Sequence, residues 1–187
     1  MEKVIETYKI ENAIFELVEK PEAIYAGKFY YVKDYANKGA MFAELSELEN
    51  NWNRLNPFNL VIEPKLPIND VGIAINFSLY HNEKIHGYGY GRETLTENQP
   101  ENIDVFKMPV SFFVKAYINK HTFMLLTKQE NPIDFDIVAE LFSYIWHELM
   151  PTHGLKVAEN GAKDIEIYDN MTTERKAVCI YAAAMRA

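Results

Sequence analysis

The chain carries a weak copy of part of itself. Tyr30-Tyr31-Val32-Lys33-Asp34-Tyr35 returns 82 positions later as Phe112-Phe113-Val114-Lys115-Ala116-Tyr117, with three identical positions and two exchanges of Tyr for Phe. Repetition restricts a fold more than composition does, because each copy must bury its apolar face against something and the nearest complement is the other copy. Each copy lies in a strand-like run, and each is followed by a helical segment and then by two further strand-like runs.

In the first half the helix is read over Gly39 to Leu55. There Met41, Leu45, Leu48, Trp52 and Leu55 recur at spacings of four and three, which is one apolar stripe. Asn56-Pro57 stops it. Strands follow at about Val71–Leu79 and His86–Glu93. In the second of these, Gly87, Gly89 and Gly91 alternate with Tyr88 and Tyr90, leaving one face without side chains and open to close approach. In the second half the helix is read over Phe135 to Leu149, capped by Asp134 or Asp136 and ended by Pro151, with Gly154 in the turn beyond. Strands follow at Lys163–Tyr168 and Ala177–Ala184. Ahead of the first copy, Ala13 to Val18 reads as a strand or arm. Polar Thr96 to Asn102, with Pro100, joins the halves.

The expected fold is therefore α+β: two fused strand-helix-strand-strand repeats, about 22–95 and 103–187. Together they make one domain over 1–187, with an antiparallel sheet, two helices on one face and a cleft between the halves.

The 187 residues suffice for one well-buried core, with 48% hydrophobic and 25% charged residues. No apolar run approaches the roughly 20 residues of a membrane span. The charged opening Met1-Glu2-Lys3-Val4-Ile5-Glu6 lacks a signal-peptide core. A cytoplasmic location without membrane contact is expected. The net charge of −8, with no basic stripe, argues against direct nucleic-acid binding, whose affinity comes mainly from phosphate neutralisation. Only about 22 residues precede the first repeat, too few for a helix-turn-helix. The single cysteine, Cys179, reads as a small buried hydrophobe. His81, His86, His121, His147 and His153 show no metal-ligand spacing. No metal and no cofactor are expected, since neither a nucleophile elbow nor a phosphate loop is present.

Twelve Tyr, eleven Phe and two Trp supply flat apolar area, most of which any globular chain spends on its core. The segment Asp164-Ile165-Glu166-Ile167-Tyr168 alternates, so Glu166 shares a face with Tyr168. A strand carboxylate is either a solvated outer residue or the charged floor of a pocket. In a pocket it costs free energy that a cationic ligand would remove.

Four features, taken in order, resemble the GyrI-like family, the effector-binding domains of bacterial multidrug-responsive transcription activators in stand-alone form. Met108-Pro109 leads an aromatic strand ending at Tyr117. Ile145-Trp146-His147-Glu148-Leu149-Met150-Pro151-Thr152-His153-Gly154 is similar to the family's helix end. Ile165-Glu166-Ile167-Tyr168 resembles its phenylalanine-glutamate-x-tyrosine strand, and Val178-Cys179-Ile180-Tyr181 its closing strand. The chain departs at His153, in place of serine, and at Ala182-Ala183-Ala184, in place of isoleucine-proline-valine.

The resemblance implies an aromatic-lined pocket that takes a lipophilic, cationic or aromatic small molecule. Glu166 is its anchor and Tyr181 stacks beside it, with Tyr168, Trp146, Tyr117 and Tyr35 completing the expected lining. Two other functions stay open at this point. One is a hydrolase of electrophilic small molecules in which Glu166 is the base and Tyr181 or Tyr168 the acid. The other is an interaction role like that of the family's gyrase inhibitors.

Overall fold

The structure is a computed structural model that describes residues 1–32, 72–76, 86–101, 103–129, 137–168 and 177–187. The helix expected at Gly39–Leu55, Trp52 within it, Tyr35, and the caps Asp134 and Asp136 lie outside the described residues.

The ten described strands form one antiparallel sheet. They are β1 (Lys3–Ile10), β2 (Ala13–Lys20), β3 (Ala23–Val32), β4 (Gly72–Asn76), β5 (His86–Thr94), β6 (Asp104–Met108), β7 (Ser111–Tyr117), β8 (Leu155–Val157), β9 (Asp164–Tyr168) and β10 (Ala177–Arg186). Their spatial order is β1-β2-β7-β10-β9-β4-β5-β3-β6, with β8 on β10 beside β9. The order reads alike outward from the β9–β4 pair: β9-β10-β7 one way and β4-β5-β3 the other.

Two prolines make the sheet curl. Lys20 pairs with Ser111 and, past two residues on each strand, Ala23 pairs with Met108 in the same register. Thus β2–β3 and β6–β7 are one continuous two-stranded ribbon, interrupted where Pro21 and Pro109 have no N–H to donate. In strand order, β2 and β3 are six spacings apart. A flat sheet would separate them by about 29 Å at ~4.8 Å per strand, yet only two residues connect them, reaching about 11 Å. The sheet must fold back at the proline corner, which produces a half-barrel. Gly91 of β5 fits the tight curvature: a Cβ there would lie 2.7 Å from the Ala26 carbonyl oxygen.

One apolar cluster fills the inside of the curl. Val18 and Phe113 ahead of the corner meet Ala23, Tyr25 and Met108 beyond it, together with Ile165, Cys179, Tyr181 and Ala183. The other cluster lies between the opposite face of the sheet and the helices. It joins Tyr8, Phe15, Leu17, Val114, Ala116, Ile180, Ala182 and Ala184 to Leu125, Leu141, Phe142, Ile145, Leu149 and Met150.

The helices differ from expectation in two ways. Helix α1 (Lys120–Thr127) was not expected; Asn119 caps it, its Oδ1 accepting from the N–H groups of His121 and Thr122, while Thr122 Oγ1 accepts from Asn119 N–H. Helix α2 (Ile137–Tyr144) does not stop at Pro151. It passes through a π-helical turn (Ile145–Leu149) into α3 (Met150–Thr152). The wider turn, closed by Met150 N–H on the Ile145 carbonyl, comes one residue before Pro151, whose ring clashes with a regular helix. Gly154 then takes the left-handed φ of 64° that ends the helix.

Three further differences concern the strands. The N-terminal arm is a full hairpin, β1 with β2. Met108 closes β6 rather than opening β7, because Pro109 breaks the ladder between them. The repeated hexapeptide covers nearly all of β7 but only the last three residues of β3, the remainder lying outside the described residues.

Candidate functional site

Glu166 stands in the middle of the sheet and is 4% exposed. Cross-strand pairing places it in an unbroken row: Tyr8, Phe15, Ala116, Ile180, Glu166, Ala74, Tyr90 and Lys28. Directly paired residues of an antiparallel ladder share a face. Ile180, Ala116 and Phe15 belong to the helix-side core, so Glu166 projects toward the helices.

Asp164, two positions earlier in β9, is also buried. Its Oδ1 accepts the Ala183 N–H at 2.7 Å, continuing the ladder where β9 begins. Burial, with Glu166 nearby, pushes the Asp164 carboxyl up to about 8, although the Ala183 hydrogen bond acts the other way.

The next row is different. Thr7, Glu16, Lys115, Tyr181 and Ile165 pair across β1, β2, β7, β10 and β9 on the inside of the curl. Tyr181 therefore does not stack beside Glu166: the backbone of β10 and β9 lies between them. A register shift between Ala177 and Cys179 causes this. Had the Ala177–Tyr168 register continued, Cys179 would face Glu166 and Tyr181 would lie on the helix side. A one-residue bulge exchanges the two faces.

The expected site residues thus fall into two groups. Glu166 and Trp146 are on the helix side. Trp146 sits on the π-helical turn against that core, its ring stacked on Phe142 at 5.3 Å. Tyr181 and Tyr117 are on the other side, Tyr117 paired with Cys179 and 45% exposed at the end of β7. Tyr168 ends β9 opposite Ala177 and Gly72. Tyr35 lies outside the described residues.

Around Tyr181 the structure assembles residues that the sequence reading passed over. Lys115 Nζ donates to Glu2 Oε1 at 2.7 Å and lies 3.8 Å from Glu16. Lys20 Nζ is 3.6 Å from Glu2 Oε2 and 4.4 Å from the centre of the Tyr181 ring. Burial opposes charging of Lys115, but its bond to Glu2 outweighs that and raises its pKa. Burial likewise pushes Tyr181 up, and pushes the Cys179 thiol to about 11. The available signal was a lysine inside the apolar run Phe112 to Ala116.

A third polar group ties the helix end to the sheet edge. His153 stacks on Tyr8 at 4.0 Å, Tyr8 Oη donates to Glu6 Oε2 at 2.9 Å, and Glu6 pairs with Arg186. Among the described residues no three His, Cys, Asp or Glu side chains gather as metal ligands, and no helix is long and apolar enough to cross a membrane.

These features define an α+β protein built on a curled antiparallel half-barrel sheet with helices on its outer face. The sequence matches no family model and no curated protein. Solved structures do share the fold. The C-terminal domain of EcmrR aligns with a TM-score of 0.54 at 14% identity, over 92% of this chain and 98% of that one. SAV2435 bound to tetraphenylphosphonium aligns at 0.57 with 10% identity, over 91% and 93%. An integron cassette protein from the mobile metagenome of Vibrio cholerae aligns at 0.52 with 14% identity, over 91% and 95%. At such identities the likeness is one of fold.

Proposed function

We propose that this chain is a small-molecule binding protein of the GyrI-like type. It takes a lipophilic cation on the helix side of the sheet, with Glu166 as the electrostatic anchor and the β9–β4 pair at the junction of two repeats. The observation that carries the reading is Glu166 itself: a carboxylate 4% exposed, held between Ile180 and Ala74 at the centre of the sheet. A buried carboxylate is costly, and a bound cation offsets part of that cost. The fold shared with a protein bound to tetraphenylphosphonium, a lipophilic cation, supports the reading. Trp146, packed against the helix-side core, is an aromatic candidate on that side of the sheet.

The hydrolase alternative needs Glu166 and either Tyr181 or Tyr168 on one substrate; the register sets Tyr181 on the opposite face from Glu166, which leaves Tyr168 as the acid for that reading.

The test is calorimetric titration with tetraphenylphosphonium, and with the neutral triphenylphosphine oxide as control. Binding of the cation with affinity falling about tenfold or more in Glu166→Gln is expected, the loss of roughly 1.4 kcal/mol or more that removing a charged partner entails. Equal affinity of the variant and wild type, or equal binding of both compounds, would overturn the assignment of Glu166.

A further inference from the structure

The geometry points to a second ligand site, on the opposite face of the sheet from Glu166: Lys20, Lys115 and Tyr181 form a cradle for a carboxylate, filled in cis by Glu2 and open to a small free carboxylate when Glu2 leaves.

The cradle comes from neighbouring strands. Lys20 ends β2, Lys115 lies in β7, and Tyr181 is the partner of Lys115 on β10. The two ammonium groups take one oxygen each of the same carboxylate, Lys115 at 2.7 Å and Lys20 at 3.6 Å. Burial raises the Glu2 pKa, but Lys115 and the nearby Tyr181 phenol outweigh it and hold Glu2 below the usual carboxylate range. Lys20 also lies over the Tyr181 ring at 4.4 Å, while Lys115 stands 5.6 Å from that ring and 5.4 Å from Tyr117. The lysine side chains are only 18% and 13% exposed. This is a desolvated arrangement of donors around an anion, in which a charge-assisted hydrogen bond is strong.

Glu2 is the least anchored member of the group. It precedes β1, whose first ladder pair is Lys3 with Glu19. If it swings out, two ammonium groups face the single remaining carboxylate, Glu16, at 3.8 Å from Lys115. That leaves an excess positive charge beside a phenol, which a monocarboxylate of Glu2's own chemistry neutralises. Glu2 thus acts as a tethered competitor, and a free carboxylate has to displace it.

The experiment compares sodium propionate with sodium chloride at equal ionic strength and pH 7, using the full chain. Wild type, Glu2→Gln, Glu2→Gln with Lys115→Gln, and Glu166→Gln are followed by thermal unfolding and by calorimetric titration at 25 °C. In Glu2→Gln, propionate at ten times its dissociation constant is expected to raise the midpoint by roughly 3–6 °C over chloride. Wild type should need at least tenfold more propionate for the same shift, and adding Lys115→Gln should abolish it. Three results overturn the proposal: propionate acting no better than chloride on Glu2→Gln, a response that survives Lys115→Gln, or wild type responding like Glu2→Gln. Wild type and Glu166→Gln should respond alike, so the outcome is independent of whether Glu166 binds cations.

Discussion

The two faces of β9 and β10 solve the problem of buried charge in opposite ways. On the inside of the curl, Lys115 and Lys20 are matched by Glu2 and Glu16 within 4 Å, and the network reaches the surface at Glu2 and Glu16. On the helix side, Asp164 and Glu166 lie close together at 5% and 4% exposure, and burial holds the Asp164 carboxyl toward its protonated form. Matched charges keep a face tolerant of pH and insensitive to ligands of the wrong sign. Adjacent acids make a face that responds to protons and, on our reading, to cations. Two strands separate these chemistries because alternate side chains of one strand never meet.

The largest test of this comparison shifts the register that assigns residues to faces. Inserting one alanine between Cys179 and Ile180 keeps the Cys179–Ile167 pair but moves every later residue of β10 on by one position. It would turn Ile180, Ala182 and Ala184 away from the helix core and bring Tyr181 round to the face of Glu166. Losing that many buried contacts at once exceeds ~5 kcal/mol, so the variant is expected to be unfolded by circular dichroism and by proteolysis. A folded, cooperative insertion variant with native stability would show that the register of β10 does not set the two faces.

A smaller effect distinguishes the faces by pH. The folded-state pKa of Asp164, about 8, lies above its ordinary 3.8. The folded protein therefore holds a proton that the unfolded chain has released. The associated stability is complete below pH ~4 and is lost as pH rises toward 8, at up to about 1.4 kcal/mol per pH unit. Denaturant titrations between pH 5 and 8 should show that slope in wild type and a flatter curve in Asp164→Asn. An unchanged slope in the variant would remove Asp164 as its source.

The smallest expected effect belongs to neither face. Glu11, in the turn between β1 and β2, has a φ of 54° that glycine adopts without strain. Glu11→Gly should stabilise the chain by less than about 1 kcal/mol. It serves as a control that leaves the pH slope and both ligand responses in place.

What could be read from the sequence follows how much apolar patterning each element carries. The β5, β9 and β10 strands announced themselves through alternating glycine, alternating isoleucine and a long apolar run. The β1 strand did not, because an edge strand buries little and only Tyr8 among its residues is buried. Helix α1 is eight residues long, and its only strong signal was the pairing of Asn119 with Thr122. Pro151 was a fair stop signal that the π-helical turn absorbed. The candidate site was legible as a set of residues but not as a set of neighbours. Glu166 and Tyr181 lie in paired strands, and which face each takes depends on a single inserted residue that no periodicity marks. Glu2 and Lys20 carried no sequence signal because Glu2 meets Lys115 across 113 positions and Lys20 meets the ring of Tyr181, far along the chain in β10.

The proline corner has a consequence for how the chain is made. Ribosomes deliver about 5–20 residues per second, so β2 waits roughly 5–20 seconds for β7, and β7 several more for β10. During that interval the β1–β2 hairpin has emerged, but Phe15, Leu17 and Val18 have no sheet to join. The strand that completes the centre of the sheet, β10, is the last of the ten to emerge and pairs with β7, β8 and β9. Nascent chains stopped short of Ala177 would therefore carry an unfilled central slot lined by two open strand edges, the kind of surface that chaperones hold and that neighbouring nascent chains can invade.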